Sequence, residues 1–515
     1  MTDSIIRSTV ADLVKAFTDA PEGRVDAEYA RLVAALWTRD GATAAATTGV
    51  PVLLAELEDL DPDRQGYALV LLGVLAEAEW PAEGPVFKAV RAGLDVYLDL
   101  IPTTSKGQPL SLALLYLLSH FPADRAAIIA GIEPWDLEAD DHSRIVRALA
   151  DVDLANPDLG RVWPAPSTWA LGDDEKDFSQ AWIKGLTEEQ IKTNWDNDTR
   201  TVLGYTGARA YYSVVNRVPA SRYNPSFPED AVVLPTPSDD IVSVFGKYAD
   251  VLRCPTSHAP LEVTDAGVRS TDGTKFAVAN GILDLSAGVR EGQEADDATN
   301  DLLQKLAEMP TMGLYYEAVL RPHYLRIAGG NWGDQVSPAD EDAYLARHSH
   351  PAEGPVLDLA AGAGRWTKIV AGAVGSDRLI ALDMALPMLN VLRGALPEVP
   401  AVKASALNLP FADGVLGGLN CWNALQAFPD DAEAAIAEMG RVLKPGGTMT
   451  MMTFIWSDDQ VARHFQEWQF FPSRPEGHLL FELDELHQWF EAAGLRITEE
   501  QTGEGTFVFL TAERA

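Results

Sequence analysis

The run Pro355-Val356-Leu357-Asp358-Leu359-Ala360 reads as a buried strand that carries an acid near its end, followed by Ala361-Gly362-Ala363-Gly364. Glycines in such a turn let the backbone approach a ligand closely, because no Cβ intervenes. A second strand, Leu379-Ile380-Ala381-Leu382, closes on Asp383. A carboxylate in that place can accept two hydrogen bonds from ribose hydroxyls. A dinucleotide site would show G-x-G-x-x-G, to seat a pyrophosphate at a helix N-terminus. Here Thr367 takes the place of the third glycine and no basic cluster replaces it. The pattern therefore points to a nucleoside without a pyrophosphate.

These residues need a frame. Ala401-Val402-Lys403-Ala404, Leu416 to Cys421 and Thr448 to Ile455 read as further strands, with helical stretches between them. Strands alternating with helices predict a parallel sheet covered on both faces. Ligands of such sheets sit beyond the carboxyl ends of the strands, where the Gly turn and both acids fall.

Taken together, several motifs resemble the class I S-adenosylmethionine-dependent methyltransferases of the UbiE type. They are Asp358-x-x-x-Gly362-x-Gly364, Asp383, Leu409-Pro410-Phe411-Ala412-Asp413, Phe428-Pro429-Asp430 and Arg441-Val442-Leu443-Lys444-Pro445-Gly446-Gly447. The resemblance runs from about Met312 to the C-terminus. It implies an α/β Rossmann-like domain that uses S-adenosyl-L-methionine and releases S-adenosyl-L-homocysteine. It also implies roles. Asp358 would orient the Gly loop and the ligand amine, and Ala360, Gly362 and Gly364 would line the methionine moiety. Asp383 would hold the ribose with Met384 against the adenine, whose edge Ser405, Ala406 and Leu407 would form. Cys421 would present its backbone near the methionine amine, and Tyr315 and Tyr316 stand where the family places a lid aromatic. Ser405 replaces a frequent acid, Gly417 another, and Gln426 and Ala427 replace a common His-His pair. These departures weaken any loan of a substrate from relatives.

Methyl transfer from a sulfonium asks the protein mainly to align donor and acceptor and exclude water. Where a general base is needed, His464 and His478 are the candidates, in the insertion before Phe481-Glu482-Leu483-Asp484-Glu485-Leu486-His487. Trp422, Asn423, Trp456, Trp468, Phe470 and Phe471 are candidate walls of the acceptor pocket, and an aromatic pocket suits a planar or apolar small molecule. The expected activity is methyl transfer to a small-molecule acceptor in specialised metabolism. Two alternatives stand beside it: a peptide or protein acceptor held by the N-terminal helices, and a scaffold or cyclase that binds S-adenosylmethionine without transferring methyl.

The rest of the chain divides by composition. Residues 1–150 read as helix after helix, with Asp61-Pro62 breaking one apolar stretch from the next. The segment Leu53 to Glu77 resembles a HEAT-like hairpin, giving an all-α domain with a possible concave partner face. Residues 151–243 form a connecting region whose tryptophans (Trp163, Trp169, Trp182, Trp195) are expected to pack on neighbours. Residues 244–290 read as a small β-rich unit that resembles the Trm112-like ribbon. Cys254-Pro255, Gly273, Phe276 and Gly281-Ile282 keep its text, while Ser257, Arg269 and Asp272 replace three of its cysteines. One thiolate makes no tetrahedral site, so no metal is expected. Residues 291–515 form the methyltransferase domain.

The 515 residues carry 40 Lys+Arg against 76 Asp+Glu, a net charge of −36. That balance disfavours long nucleic acid and anionic membrane surfaces as partners. Two distant cysteines exclude a disulfide scaffold and suit a reducing cytoplasm. The N-terminus lacks a secretory pattern, and no apolar run reaches the roughly 20 residues of a bilayer span. Self-association into a homo-oligomer is left open.

Overall fold

The structure is a computed structural model that describes residues 2–80, 83–160, 173–219, 241–286, 321–470, 480–502 and 505–515. The chain forms two compact units, Met1–Asn224 with Ser457–His478, and Pro225–Trp456 with Leu479–Ala515. Among the described residues no single helix is long and apolar enough to cross a membrane.

The first unit is helical. Asp61 caps the helix Pro62–Glu77 by accepting from the Asp63 and Arg64 N–H groups, both at 3.1 Å, and Pro62 sits where a missing N–H costs nothing. Every residue from Gln65 to Glu77 is buried, as is every residue from Leu110 to Leu118 in the helix Pro109–Leu118. Helices apolar all round are central ones. The 29-residue helix Glu188–Asn216 packs against both. Trp182 and Trp195 pack with Leu159, Ile183 and Ile191. Trp163 and Trp169 lie outside the described residues. The helices Pro85–Arg91 and Leu94–Leu100 are parted at Ala92-Gly93.

A buried polar cluster interrupts this apolar core. Glu77 takes His120 Nε2 on one carboxylate oxygen at 2.9 Å and His464 Nε2 on the other at 2.6 Å. Both histidines outweigh the cost of burial and hold the Glu77 carboxyl down at about 2. A depressed acid stabilises the fold above its ordinary value near ~4.3, and that contribution is lost as pH falls toward the folded value. Glu77→Gln should therefore flatten the acid limb of the helical unit's stability between about pH 4 and 2, read by far-UV circular dichroism during denaturant titration. An unchanged acid limb would remove Glu77 as its source.

The second unit is α/β. After the short helix Ile241–Phe245 comes a three-stranded antiparallel sheet, β1 (Leu261–Thr264), β2 (Gly267–Ser270) and β3 (Lys275–Phe276). A hairpin follows, β4 (Val278–Ala279) and β5 (Ile282–Asp284), whose two-residue turn Asn280-Gly281 has φ of +53° and +68°. Asn-Gly is the pair that tolerates two positive φ values in such a turn. The remaining strands are β6 (Val356–Leu359), β7 (Leu379–Asp383), β8 (Ala401–Lys403), β9 (Leu416–Trp422), β10 (Leu443–Phe454), β11 (Leu495–Thr502) and β12 (Phe507–Arg514). They join β4 and β5 in one nine-stranded sheet of order β11-β12-β10-β9-β6-β7-β8-β5-β4. From β10 to β5 the strands are parallel. The last strand of the segment 244–286 extends the large sheet beside β8. Its earlier part packs on the same core through Phe245, Tyr248, Leu252 and Cys254.

The span 291–515, expected as one domain, is interrupted. Residues 457–478 belong to the helical unit, where Val461 and Phe465 join its core. Apolar residues at i and i+4 make the helix Gln460–Glu467 amphipathic, and that face is buried among the helical unit's side chains.

Candidate functional site

The parallel register fixes where the candidate residues stand. Asp358 pairs with Ala381 and Asn420, one residue short of the end of β6, and Asp383 pairs with Lys403 at the end of β7. The Gly loop therefore leaves the sheet level with Asp383.

The loop is held in an unusual conformation. Ala360, Gly362 and Gly364 have φ of +55°, +53° and +92°. Glycine takes such angles freely, whereas an alanine there is strained. The Ala361 N–H donates to Leu382 O at 3.0 Å and the Gly364 N–H to Ala361 O at 3.0 Å, which tightens the turn into the helix Arg365–Val374. Asp383 completes it. One oxygen accepts from the Gly362 N–H at 2.8 Å and the other from the Ala385 N–H at 2.8 Å. The Met384 N–H also lies near the carboxylate, and with about four lone-pair sites the group is not saturated by these donors. Asp383 is only partly buried, yet desolvation still raises its carboxyl above the ordinary range.

Asp358 is different, being buried with a side-chain donor on each oxygen. Thr367 Oγ1 donates to one oxygen, and Asn420 Nδ2 donates to the other at 2.6 Å. Thr450 Oγ1 in turn donates to Asn420 Oδ1 at 3.0 Å. Burial raises the Asp358 carboxyl to about 6 against those two bonds, with the Asp383 charge adding to the rise. Asp358 thus braces the Gly loop from beneath. Sequence reasoning reads Thr367 only as the stand-in for a third glycine and does not reach Asn420 or Thr450. The signal was a lone Asn inside the apolar run Leu416–Trp422, which buries every residue.

An acid whose pKa is raised by folding binds its proton better folded than unfolded. Stability therefore falls as pH climbs from about 4 to about 6 and levels off above. Asp358→Asn should remove that slope and gain on the order of 1–3 kcal/mol at pH 7 in ligand-free protein. Thermal unfolding across pH 4 to 8 checks it; a variant less stable at pH 7 would contradict it.

The other candidates line the same edge. Met384 follows Asp383 and is half-buried. Ser405 Oγ accepts from the Leu407 N–H at 3.2 Å, and Ala406 and Leu407 are half-buried in the turn after β8. Cys421 is wholly buried, and burial with the neighbouring Asp358 pushes its thiol up to about 12, so only its backbone is available. Asn423 has φ +55° and accepts from Gln426 Nε2 at 2.8 Å, while Thr453 Oγ1 donates to Gln426 Oε1 at 3.2 Å. The structure thus brings Asp358, Ala360, Gly362, Gly364, Asp383, Met384, Ser405, Ala406, Leu407 and Cys421 to one set of strand ends.

Others fall elsewhere. Trp422 is not a pocket wall: it is 2% exposed, lies against Phe509 at 5.2 Å, and donates through Nε1 to Glu341 at 3.2 Å. Glu341 also pairs with buried Arg321. His464, Trp468 and Phe470 belong to the helical unit, where His464 is committed to Glu77. Tyr315, Tyr316, Phe471 and His478 lie outside the described residues. In the ribbon-like segment Asp272 accepts from Ser257, Ser270 and Thr274, which hold its carboxyl well below the usual range. Cys254 Sγ lies 3.1 Å from Thr256 Oγ1. Among the described residues no cluster of His, Cys, Asp or Glu could hold a metal ion.

Residues 356–447 match the family described as a methyltransferase domain. The 2-phytyl-1,4-naphtoquinone methyltransferase of Thermosynechococcus vestitus is 30% identical over 122 residues, 23% of this chain and 54% of that protein. The demethylmenaquinone methyltransferase of Lactiplantibacillus plantarum is 28% identical over 162 residues, 30% of this chain and 64% of that protein. The match spans less than two thirds of the length of these relatives. Among solved structures, geranyl diphosphate C-methyltransferase from Streptomyces coelicolor aligns with a TM-score of 0.28 and 16% identity, covering 34% of this chain and 79% of that one.

Proposed function

We propose that the α/β unit binds S-adenosylmethionine at the carboxyl ends of β6, β7, β8 and β9 and transfers its methyl group to a small-molecule acceptor. One observation carries the reading: Asp383, partly exposed at the end of β7, is held beside the Gly loop by the Gly362 and Ala385 N–H groups, where its carboxylate can accept from ribose hydroxyls. The residues present fit that cofactor. A Cβ placed on Gly362 would meet nothing within 4 Å, so the loop leaves open space beside a backbone that only glycine adopts cheaply.

Asp383 would hold the ribose, Met384 the face of the adenine, and Ser405 to Leu407 its edge. Gly362 and Gly364 would let the loop backbone lie close to the methionine portion. S-adenosylmethionine supplies, when bound, a methyl group on a cationic sulfur, which is already an electrophile. The chain's part is to bind, align and exclude water. Asp358 serves by fixing the loop through Thr367 and Asn420. The quinone-named relatives support a planar, apolar acceptor for this chain also.

Calorimetric titration of the full chain with S-adenosylmethionine and S-adenosylhomocysteine tests the donor site. Formation of S-adenosylhomocysteine with a panel of naphthoquinols, terpenoid diphosphates and peptides tests the acceptor. Absence of binding heat with both compounds would end the proposal. Turnover with peptides alone would move the acceptor to the peptide class.

A further inference from the structure

The helical unit contains a receptor whose occupant comes from elsewhere in the chain. The long helix Glu188–Asn216 carries two glycines, Gly204 and Gly207, at a spacing that puts them on one face. A Cβ on Gly207 would lie 2.2 Å from the Phe465 ring, and one on Gly204 would lie 2.4 Å from the Trp468 carbonyl. No other residue type leaves room for residues 465–468 to lie against this helix. Phe465 fills the notch and meets the Tyr116 ring edge-on at 5.4 Å.

Polar fasteners flank it. Tyr211 donates to Asp459 Oδ2 at 2.8 Å, while Asp459 Oδ1 caps the helix by accepting from Val461 and Ala462 at 3.0 and 2.8 Å. His464 meets Glu77 at 2.6 Å. The Phe470 N–H donates to Thr201 Oγ1 at 3.0 Å, and that hydroxyl also lies 3.3 Å from Phe470 O. Arg39 pairs with Glu467 at 2.6 Å.

The occupant is separable by construction. Ile455 forms a parallel bridge with Phe481, and the Trp456 N–H donates to Phe481 O at 2.9 Å. The two ends of the excursion are clipped together inside the α/β unit, so its departure would break no strand pairing there. The helix Gln460–Glu467 has eight residues, far below the roughly 12–15 at which an isolated helix persists in water. It is helical only while held.

We propose that residues 457–470 form a strap, an intramolecular ligand that the helical unit holds and releases as one piece, with the Gly204/Gly207 notch and Glu77 as its receptor. The strap begins directly after β10 and Trp456, so its release frees the chain that leaves the carboxyl end of that strand. The device is independent of which donor the α/β unit binds.

Native-state hydrogen exchange on the full chain tests it. In low denaturant, amides of 460–470 are expected to exchange at least tenfold faster than those of 62–77 and 109–118. Gly207→Ala should accelerate strap exchange a further tenfold or more and leave those two helices within twofold. Calorimetry with S-adenosylmethionine, run on the same samples, reports the donor site separately. Exchange of strap and helices at one common rate in wild type would overturn the proposal, and so would a Gly207→Ala strap that is as protected as before. If that variant does not fold, the wild-type denaturant series decides alone.

Discussion

Asp383→Ala is expected to weaken S-adenosylmethionine binding at least ~100-fold while the protein stays folded. Hydrogen bonds to a charged group contribute about 1.5–3 kcal/mol each. Two such bonds to ribose hydroxyls would give on the order of 3–6 kcal/mol, and every ~1.4 kcal/mol is tenfold in affinity. The fold has less at stake. Removal orphans the Gly362 and Ala385 N–H groups, at about 1 kcal/mol each, but also relieves a carboxylate that burial disfavours. Asp383→Asn should fall between, since it keeps the shape and loses the charge. Calorimetry beside thermal unfolding separates the two effects. Wild-type affinity in the Ala variant would show that the carboxylate grips nothing.

The second large effect lies in the loop, where two glycines two residues apart should fail in opposite ways. At Gly364 a Cβ would sit 2.9 Å from Leu392 Cγ on a backbone with φ +92°. Left-handed backbone costs a non-glycine residue roughly 1–2 kcal/mol, and overpacking adds about 1–3 kcal/mol. Gly364→Val should therefore lose about 2–5 kcal/mol of stability. At Gly362 the same Cβ meets open space, so Gly362→Val should lose only the backbone part, about 1–2 kcal/mol. Its side chain would stand where the donor goes, and affinity should drop at least tenfold. Denaturant midpoints and donor titrations on both variants check this. Equal stability losses would show that the Leu392 contact is not what Gly364 avoids.

The parts of the site that sequence made legible are those written locally. Asp358, the Gly turn and Asp383 sit at the ends of short apolar runs, and a parallel sheet gathers strand ends by necessity. The partners of Asp358 were less visible, because Thr367, Asn420 and Thr450 come from a helix and two strands that only the register aligns. The Asn280-Gly281 hairpin could be read as a turn, but nothing local says that β5 pairs with β8, more than a hundred residues on. The strap shows the same limit. Val461, His464 and Phe465 announce an amphipathic helix, yet amphipathicity does not state whose core receives it. His464 reads as a candidate base because it lies in the insertion before Phe481–His487, and its commitment to Glu77 depends on a contact 387 positions away. Trp422 looked like a pocket wall from composition alone, whereas Glu341 and Phe509 draw it inward.

The pairing of β5 with β8 also bears on how this chain can be cut. Cropping it at about Met312, where the recognisable motifs begin, would strip Ile282–Asp284 from Ala401–Lys403 and take Leu283 and Leu285 out of the packed interior. The exposed margin of β8 would then offer unsatisfied N–H and C=O groups to any neighbouring chain, an invitation to clump. A soluble minimal fragment must therefore start upstream of Phe245, so that it carries the small three-stranded sheet with it.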